Sequence, residues 1–204
     1  MLALSENLAA EPHSIGRRPA RSQSIRQRPH RSYIPAVQPP RVVVMGVAGA
    51  GKTLIGSRLA AALDIAFVEG DDYHPPGNLA LMRAGIALTD ADRLPWLTAL
   101  AALLAAARRD GQGLVLACSA LKQSYRDLLR AADADVHFIH LDGTPRLIAQ
   151  RLGHRTGHYM PLSLLDSQFA TLEPPAADER AWTMNAGQTP EAIVNAIVAR
   201  LEAT

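Results

Sequence analysis

The sequence predicts an α/β fold in which a mostly parallel sheet carries helices on both faces. From Arg41 onward, short apolar runs alternate with longer segments of helical periodicity. A glycine-rich turn joins the first apolar run to the first helical segment. Polar clusters follow the later runs, where ligands of parallel sheets bind. We therefore expect one α/β domain over residues 41–204.

The elements are predicted from periodicity and from the residues that bound each run. The strands are Arg41–Met45, Ile65–Glu69, Leu114–Cys118, Val136–Leu141 and Trp182–Asn185. The helices are Thr53–Leu63, Asn78–Ala84, Asp92–Arg109, Leu121–Ala132, Pro145–Leu152, Leu162–Leu172 and Pro190–Glu202. Asp92 is predicted as an N-cap with Pro95 in the first turn of its helix. Thr144 is predicted as the N-cap before Pro145.

The glycine-rich turn is a complete phosphate-binding loop. Residues 46–53 read Gly-Val-Ala-Gly-Ala-Gly-Lys-Thr, which matches G-x-x-x-x-G-K-[ST]. Its backbone amides can surround an anion, and the following helix adds its positive end. We expect all its residues to contact a nucleotide: Gly46, Val47, Ala48, Gly49, Ala50, Gly51, Lys52 and Thr53. Lys52 can reach the outer phosphates, and the Thr53 hydroxyl can hold Mg²⁺. A glycine-rich turn with a chance lysine is the alternative, which the strand and helix on either side disfavour.

Lysine is almost absent elsewhere in the chain. Of 21 Lys and Arg residues, only Lys52 and Lys122 are lysine. Because an ammonium and a guanidinium do not substitute freely at a tight site, lysine should persist where geometry demands it. Lys122 is therefore a second candidate, with an ordinary surface lysine as the alternative.

The first forty residues differ from the rest. They carry six Arg and two Glu, a formal charge of +4, so the remainder carries −2 of the total of +2. We therefore do not expect the folded part to bind nucleic acid. Residues 1–40 are expected to form a disordered tail rich in Arg, Ser and Pro. A transit peptide is the alternative for this tail, and so is an upstream start that the cell does not use.

Cysteine usage and hydropathy limit where the protein can act. The single cysteine, Cys118, excludes an internal disulfide and indicates a reducing compartment, so we expect a cytoplasmic protein. Cys118 is expected to be a small buried residue and not a nucleophile. The longest apolar run, Leu97–Ala107, is too short to span a membrane.

Acidic residues and a histidine follow the second predicted strand. We expect this strand to lie beside the strand that precedes the phosphate loop. Glu69 and Asp71 are two residues apart, so their side chains should share one side of an extended backbone. One can assist Mg²⁺, and the other can orient an acceptor hydroxyl and accept its proton. A solvated turn that caps the next helix is the alternative.

The third predicted strand ends without an acid, so Mg²⁺ must depend on Thr53 and the Glu69–Asp71 pair. After this strand, Lys122 and Arg126 are four residues apart and share one helix face. That face either meets an anionic substrate or is solvated.

Two arginines follow the fourth predicted strand. Arg151 and Arg155 stand near Gly153 and Gly157, which suits a mobile lid that brings guanidinium charge to a transferring phosphoryl group. A loop of solvated arginines is the alternative.

Three blocks of the sequence resemble gluconokinase, the family of small P-loop gluconate kinases. The first is Gly70-Asp71 … His74-Pro75 … Asn78 … Met82 … Gly85 … Leu88-Thr89-Asp90 … Asp92-Arg93 … Pro95-Trp96-Leu97. The second is Cys118-Ser119-Ala120-Leu121-Lys122 … Tyr125-Arg126-Asp127 … Leu129-Arg130. The third is Arg151-Leu152 … Arg155 … Gly157-His158-Tyr159-Met160 … Leu165 … Ser167-Gln168 … Leu172-Glu173. The resemblance runs from about Val42 to the C-terminus.

The resemblance implies a P-loop NTPase fold of the nucleoside-monophosphate-kinase type, with a mobile lid and often a homodimer. It implies ATP-dependent phosphorylation of D-gluconate to 6-phospho-D-gluconate, with Mg²⁺. By position, Asp71 would address the acceptor hydroxyl, and Lys122 would lie on the substrate side. His74, Arg83 and Arg126 would contact gluconate, Arg151 would lie on the adenine side, and Arg155 would belong to the lid. Glu69 stands where this family usually has Asp, which changes the reach to Mg²⁺ by one methylene.

Other functions remain open from the sequence. Another small-molecule kinase, such as a shikimate-kinase-like enzyme, is an alternative, although the Cys118–Lys122 and Asp92–Leu97 blocks argue against it. A GTPase switch is disfavoured because no Asn precedes a Lys, as its base-reading motif requires. A nucleotide-binding protein that associates with RNA through the Arg-rich tail is a third possibility.

Overall fold

The computed structural model describes residues 38–153 and 162–204, which form a parallel sheet with helices on both faces. The strands are β1 (Arg41–Met45), β2 (Ala66–Glu69), β3 (Leu114–Ala117), β4 (His137–Asp142) and β5 (Ala181–Asn185). The helices are α1 (Lys52–Leu63), α2 (Pro76–Arg83), α3 (Asp90–Arg109), α4 (Gln123–Ala132), α5 (Pro145–Gly153), α6 (Leu162–Thr171) and α7 (Pro190–Glu202). A short 3₁₀ helix covers Gly70–Tyr73. The predicted fold class is confirmed.

The core lies in two layers, one on each face of the sheet. Alternate residues of β1 supply both layers: Val42 and Val44 pack in one cluster, Val43 and Met45 in the other. Helices α1, α5, α6 and α7 contribute buried residues to the first cluster, whereas α3 and α4 contribute to the second. Since both faces of β1 are covered, its sequence is apolar without alternation.

The strand order is β2-β3-β1-β4-β5, with every pairing parallel. The expectation that β2 adjoins β1 was wrong, because Leu116 of β3 pairs with Val43 on one side and Val68 on the other. Helix α1 instead crosses over β3 toward β2. Gly56 permits this crossing, since a Cβ there would lie 2.7 Å from the Phe67 ring.

Helix α3 begins two residues before the predicted start. Thr89 is its N-cap, and its hydroxyl accepts from the Asp92 amide at 3.2 Å. The Thr89 amide in turn donates to the Asp92 carboxylate at 2.8 Å, which completes a capping box. The prediction that Asp92 is the N-cap was therefore wrong, and Pro95 lies beyond the first turn.

The other cap prediction is confirmed, because the Thr144 hydroxyl accepts from the Leu147 amide at 3.3 Å. Helix α4 starts at Gln123, two residues after the predicted start, with Lys122 as its N-cap. Among the described helices, none combines the length and the apolar character that crossing a membrane requires.

Candidate active site

The phosphate loop connects β1 to α1 at the carboxyl edge of the sheet. Gly49 has φ +80°, and a Cβ there would lie 2.9 Å from the Leu152 side chain, so only glycine fits. Gly51 has φ +104° and forms the N-cap of α1 without a side chain. Lys52 donates from Nζ to the Val47 carbonyl at 3.2 Å. The loop therefore holds its own lysine by a hydrogen bond, and the amides at the start of α1 remain available to an anion.

A hydroxyl and a carboxylate meet next to this loop. Thr53 Oγ1 donates to Glu69 Oε2 at 2.6 Å, and Glu69 Oε1 accepts from the Asp71 amide at 3.5 Å. Both oxygens are of the type that Mg²⁺ prefers. Within residues 38–153 and 162–204, no three His, Cys, Asp or Glu side chains cluster as a metal site. An ion here would therefore depend on phosphate oxygens as well as on Thr53 and Glu69.

The backbone after β2 does not continue as a strand. Gly70 starts the 3₁₀ helix, and a Cβ at this position would lie 2.3 Å from the Ala117 carbonyl oxygen. The prediction that Glu69 and Asp71 share one side of an extended segment was therefore wrong. The turn sends Glu69 toward Thr53, while Asp71 lines a separate cavity.

This cavity, which we call the acceptor cavity, lies on one side of the phosphate loop. Its wall includes Ala48 and Lys52 from the loop, together with Asp71 and His74. It also includes side chains from α2, α3 and α6 and from the segment after β3: Met82, Arg93, Ser119, Leu164, Ser167 and Gln168. The cavity therefore combines two cations, a carboxylate and several hydrogen-bonding groups beside the loop.

His74 forms a buried and neutral part of the acceptor cavity. Its ring stacks on Trp96 at a centroid distance of 4.2 Å, and Trp96 Nε1 donates to the Gly70 carbonyl at 2.7 Å. Burial lowers the pKa of His74, and this outweighs the opposing effect of Asp71, whose Oδ1 lies 4.0 Å from His74 Nε2. At neutral pH the imidazole can therefore donate one hydrogen bond without carrying charge.

Arg126 does not reach the acceptor cavity. Its side chain is fully buried, and it pairs with Glu179 through Nε at 2.5 Å and Nη2 at 2.8 Å. Its Nη1 donates to the carbonyls of Ala120, Leu121 and Glu173. The bonds from Arg126 lower the pKa of Glu179 to about 2. The expectation that Arg126 contacts substrate is corrected to a structural role, because every nitrogen of its guanidinium is used within the protein.

Lys122 and Arg83 also lie outside the described wall of the acceptor cavity. Lys122 donates from Nζ to both carboxylate oxygens of Asp90 at 2.8 Å, and the Tyr125 hydroxyl contacts the same carboxylate. Lys122 is the N-cap of α4 while Arg126 is buried in it, so the predicted shared cationic face does not form. Arg83 is exposed at the last position of α2, although its neighbour Met82 lines the cavity.

The sequence reasoning missed several groups of this cavity. Arg93 lies in the first turns of α3, with its guanidinium carbon 6.0 Å from the centre of the Tyr125 ring. Its signal was present, since Asp92-Arg93 falls within a block of the resemblance. Gln168 of α6 accepts a bond at Oε1 from the Ala48 amide at 2.6 Å. No local pattern could reveal that contact, because the two residues are 120 positions apart.

A second cavity, which we call the base cavity, lies on the other side of the loop. Gly49, Gly51 and Leu54 form one wall, and Ala186 and Pro190 are also part of it. Arg151 lines it with its guanidinium held between two carbonyls: Nη1 donates to Ala50 at 3.3 Å and Nη2 to Ala186 at 2.6 Å. Arg155 lies outside the described residues.

Cys118 is fully buried, and burial raises the pKa of its thiol to about 12. The expectation of a small buried residue is confirmed, since a thiol that remains protonated is a poor nucleophile.

A phosphate loop that lies between two cavities at the carboxyl edge of a parallel sheet defines a nucleotide-binding protein of the P-loop NTPase class. The family model described as shikimate kinase matches residues 48–202. Gluconokinase from Gluconobacter oxydans (strain 621H) is 44% identical over 167 residues, which cover 82% of this chain and 94% of that protein. The thermosensitive gluconokinase of Escherichia coli (strain K12) is 48% identical over 138 residues, covering 68% and 74%. The chain belongs to the gluconokinase family.

Solved structures agree with this membership. A gluconokinase from Sinorhizobium meliloti 1021 aligns with a TM-score of 0.73 at 44% identity, covering 80% of this chain and 94% of that one. A shikimate kinase from Bacteroides thetaiotaomicron aligns with a TM-score of 0.59 at 18% identity, covering 80% and 98%. The second likeness is one of fold alone. The predicted resemblance to gluconokinase is confirmed, and the shikimate-kinase-like alternative is not favoured.

Proposed function

We propose that this protein transfers the γ-phosphoryl group of ATP to the 6-hydroxyl of D-gluconate and releases ADP and 6-phospho-D-gluconate. The observation that carries the proposal is the position of the phosphate loop. Gly49 to Gly51 face the base cavity, whereas Ala48 and Lys52 face the acceptor cavity with Asp71. A phosphate chain that lies along the loop would thus extend from one cavity toward the other. Membership of the gluconokinase family supports gluconate as the acceptor.

On the nucleotide side, the loop amides and Lys52 would hold the phosphates. Thr53 and Glu69 would hold Mg²⁺, which neutralises charge on the transferring group. The Arg151 guanidinium is kept in place by two carbonyls and offers a planar surface to the base. Arg155, which we predict to belong to the lid, would add positive charge as the phosphoryl group moves.

On the acceptor side, Asp71 would orient the 6-hydroxyl and accept its proton during transfer. Neutral His74 would donate a hydrogen bond to the sugar acid. Arg93 is a guanidinium in the wall of the acceptor cavity, and a carboxylate is the partner that a guanidinium binds best. This division of roles supports an acceptor that carries hydroxyl groups and one negative charge.

The remaining proposals concern the setting of the enzyme. We expect a cytoplasmic protein because its single cysteine forms no internal disulfide. A homodimer is expected from the family resemblance, and nucleic acid is not expected as a partner of the kinase domain.

A coupled assay that detects ADP tests the function directly. The full-length protein would be given ATP and Mg²⁺ with gluconate, other sugar acids or shikimate. We expect turnover with gluconate and at most trace turnover with shikimate. Preference for shikimate would reverse the assignment. Removal of residues 1–37 should leave gluconate turnover unchanged, whereas an RNA-associated function that uses the tail predicts its loss.

A further inference from the structure

Gln168 joins α6 to the phosphate loop and also faces the acceptor cavity. Its Oε1 accepts a hydrogen bond from the backbone amide of Ala48 at 2.6 Å. The side chain is half-buried, and it shares the cavity wall with Lys52 and Asp71. One end of this carboxamide is therefore committed to the loop that would hold the nucleotide.

The helix that carries Gln168 is held at its carboxyl end. Glu173 follows α6 closely, and its amide donates to the Leu121 carbonyl at 2.9 Å. Its carboxylate accepts from the amide of Gln123 at 2.6 Å, and its carbonyl accepts from Arg126 Nη1 at 3.0 Å. Leu165 packs in the buried core on the same helix. These contacts place the Gln168 backbone on a rigid element, which is what a precise binding group requires.

Only one end of the Gln168 carboxamide is used by the phosphate loop. A glutamine side chain has one carbonyl that accepts and one NH₂ group that donates twice. Because the Ala48 amide occupies the carbonyl, the NH₂ group is turned away from that amide while the side chain remains in the cavity wall. We propose that Gln168 is a specificity-determining residue, whose NH₂ group donates to a hydroxyl oxygen of the bound sugar acid. The inference rests on the proposed function and adds a residue to it.

A neutral donor has a physical advantage at this position. An anionic side chain beside Lys52 would compete with the phosphates, and a cationic one would compete with Lys52 for them. A carboxamide adds no charge, and a site built to hydrogen-bond a substrate hydroxyl discriminates strongly against analogues that lack it. Gln168 would therefore act on the choice of acceptor and leave the affinity for nucleotide almost unchanged.

The test compares Gln168→Ala and Gln168→Glu with Gln112→Glu as a control. Gln112 is exposed in the turn before β3, away from either cavity. For Q168A, we expect kcat/KM for gluconate to fall about 10- to 100-fold, the effect of losing one hydrogen bond to substrate, with the KM for ATP within about twofold. Q168E keeps an acceptor for the Ala48 amide but removes the donor, so gluconate turnover should fall at least as far. Q112E should match the wild type.

Selectivity separates this role from a structural one. Wild type and Q168A would be compared on gluconate and on sugar acids that each lack one hydroxyl. In the wild type, the analogue that lacks the contacted hydroxyl should have a lower kcat/KM than gluconate. In Q168A this difference should disappear, because the missing hydroxyl and the missing NH₂ donor are the two partners of one hydrogen bond. An unchanged selectivity, with a raised KM for ATP, would overturn the inference and make Gln168 a support of the loop. If Q168A does not fold, Q168E takes its place in the test. Full gluconate activity in Q168E would also overturn the inference. A wild-type protein without gluconate turnover would instead overturn the proposed function.

Discussion

Thr53 and Glu69 are joined by a hydrogen bond of 2.6 Å, although they are 16 residues apart in the chain. Thr53 lies in the first turn of α1, and Glu69 is the last residue of the edge strand β2. The Glu69 carboxylate thus reaches the residue that ends the phosphate loop. The carboxylates of Glu69 and Asp71 therefore lie in different places, with Glu69 against Thr53 and Asp71 in the wall of the acceptor cavity.

This separation predicts that variants of Glu69 and Asp71 respond differently to the Mg²⁺ concentration. Glu69→Gln should raise the Mg²⁺ concentration needed for half-maximal activity, and excess Mg²⁺ should restore most of the turnover. Asp71→Asn should lose roughly a hundred- to ten-thousandfold in kcat, the usual contribution of a positioned base, at every Mg²⁺ concentration. Steady-state assays across a Mg²⁺ titration measure both.

Asp72→Asn is the matched control, because Asp72 is exposed in the same 3₁₀ helix and does not line the acceptor cavity. It should retain wild-type kinetics. Rescue of Asp71→Asn by Mg²⁺, without rescue of Glu69→Gln, would show that the two roles are exchanged.

Lys52→Ala should abolish turnover without unfolding the protein. Lys52 contacts the Val47 carbonyl in the loop, so its truncation removes little packing. The expected loss in kcat is on the order of a hundredfold or more, as for other groups that stabilise developing charge. Thermal unfolding of the variant should match the wild type within a few degrees. Near-normal turnover would contradict the kinase mechanism.

Arg126→Met should reduce stability and leave the affinity of the folded enzyme for gluconate nearly unchanged. Removal of Arg126 leaves the buried Glu179 carboxylate only the contacts from Arg130 Nη2 at 3.2 Å and the Ala176 amide at 2.8 Å, so the loss should be at most the roughly 3–5 kcal/mol typical of a broken buried pair. The double variant Arg126→Met/Glu179→Leu should recover part of this loss, because it removes the poorly compensated charge. Urea unfolding measures the stability, and the KM for gluconate below the unfolding range measures binding. A large rise in KM with unchanged stability would restore Arg126 as a substrate contact.

Stability should decrease as the pH falls below about 6.5. Burial lowers the pKa of His74, His137 and His140 below the ordinary value of 6.5, so the unfolded chain binds protons that the folded chain rejects. In that window each histidine contributes at most about 1.4 kcal/mol per pH unit. The acids with lowered pKa act only below about 4.5, since their ordinary values are 3.8 and 4.5.

Melting temperatures between pH 8 and pH 5 measure this effect. His137→Gln should flatten the dependence, because it removes one of the buried imidazoles, whose Nδ1 has no hydrogen-bond partner within residues 38–153 and 162–204. A protein whose stability is constant from pH 7.5 to pH 5.5 would contradict the prediction.

The fold class and the position of the phosphate loop could be predicted from the sequence because their signals are local. The phosphate loop is contiguous, and β1 could be read from a run of β-branched residues. The order of the strands is not local, since α1 can return the chain beside β1 or, as here, one strand further away. Shared spacing was also a poor guide for Lys122 and Arg126, because α4 begins between them and turns the second inward.

The acceptor cavity was harder to predict because distant segments build it. Gln168 and Ala48 are 120 positions apart, so their contact depends on the tertiary fold and leaves no local pattern. Arg93 had a visible signal within the resemblance, but its charge alone could not be distinguished from a solvated arginine on a helix. Gly70 is similar: its need for a small residue arises from the Ala117 carbonyl on the neighbouring strand.

The indole of Trp96 lies against the His74 ring and donates to Gly70 at the bend that directs Asp71. The other tryptophan of the chain, Trp182, lies in β5 beside Arg200, on the opposite side of the β1 strand. Ultraviolet emission from Trp96 should therefore respond when gluconate displaces water around His74, while Trp182 supplies a constant background. Replacing Trp182 with phenylalanine would leave Trp96, which stacks on the cavity residue His74, as the single tryptophan, so that occupancy could be followed without turnover or any attached dye.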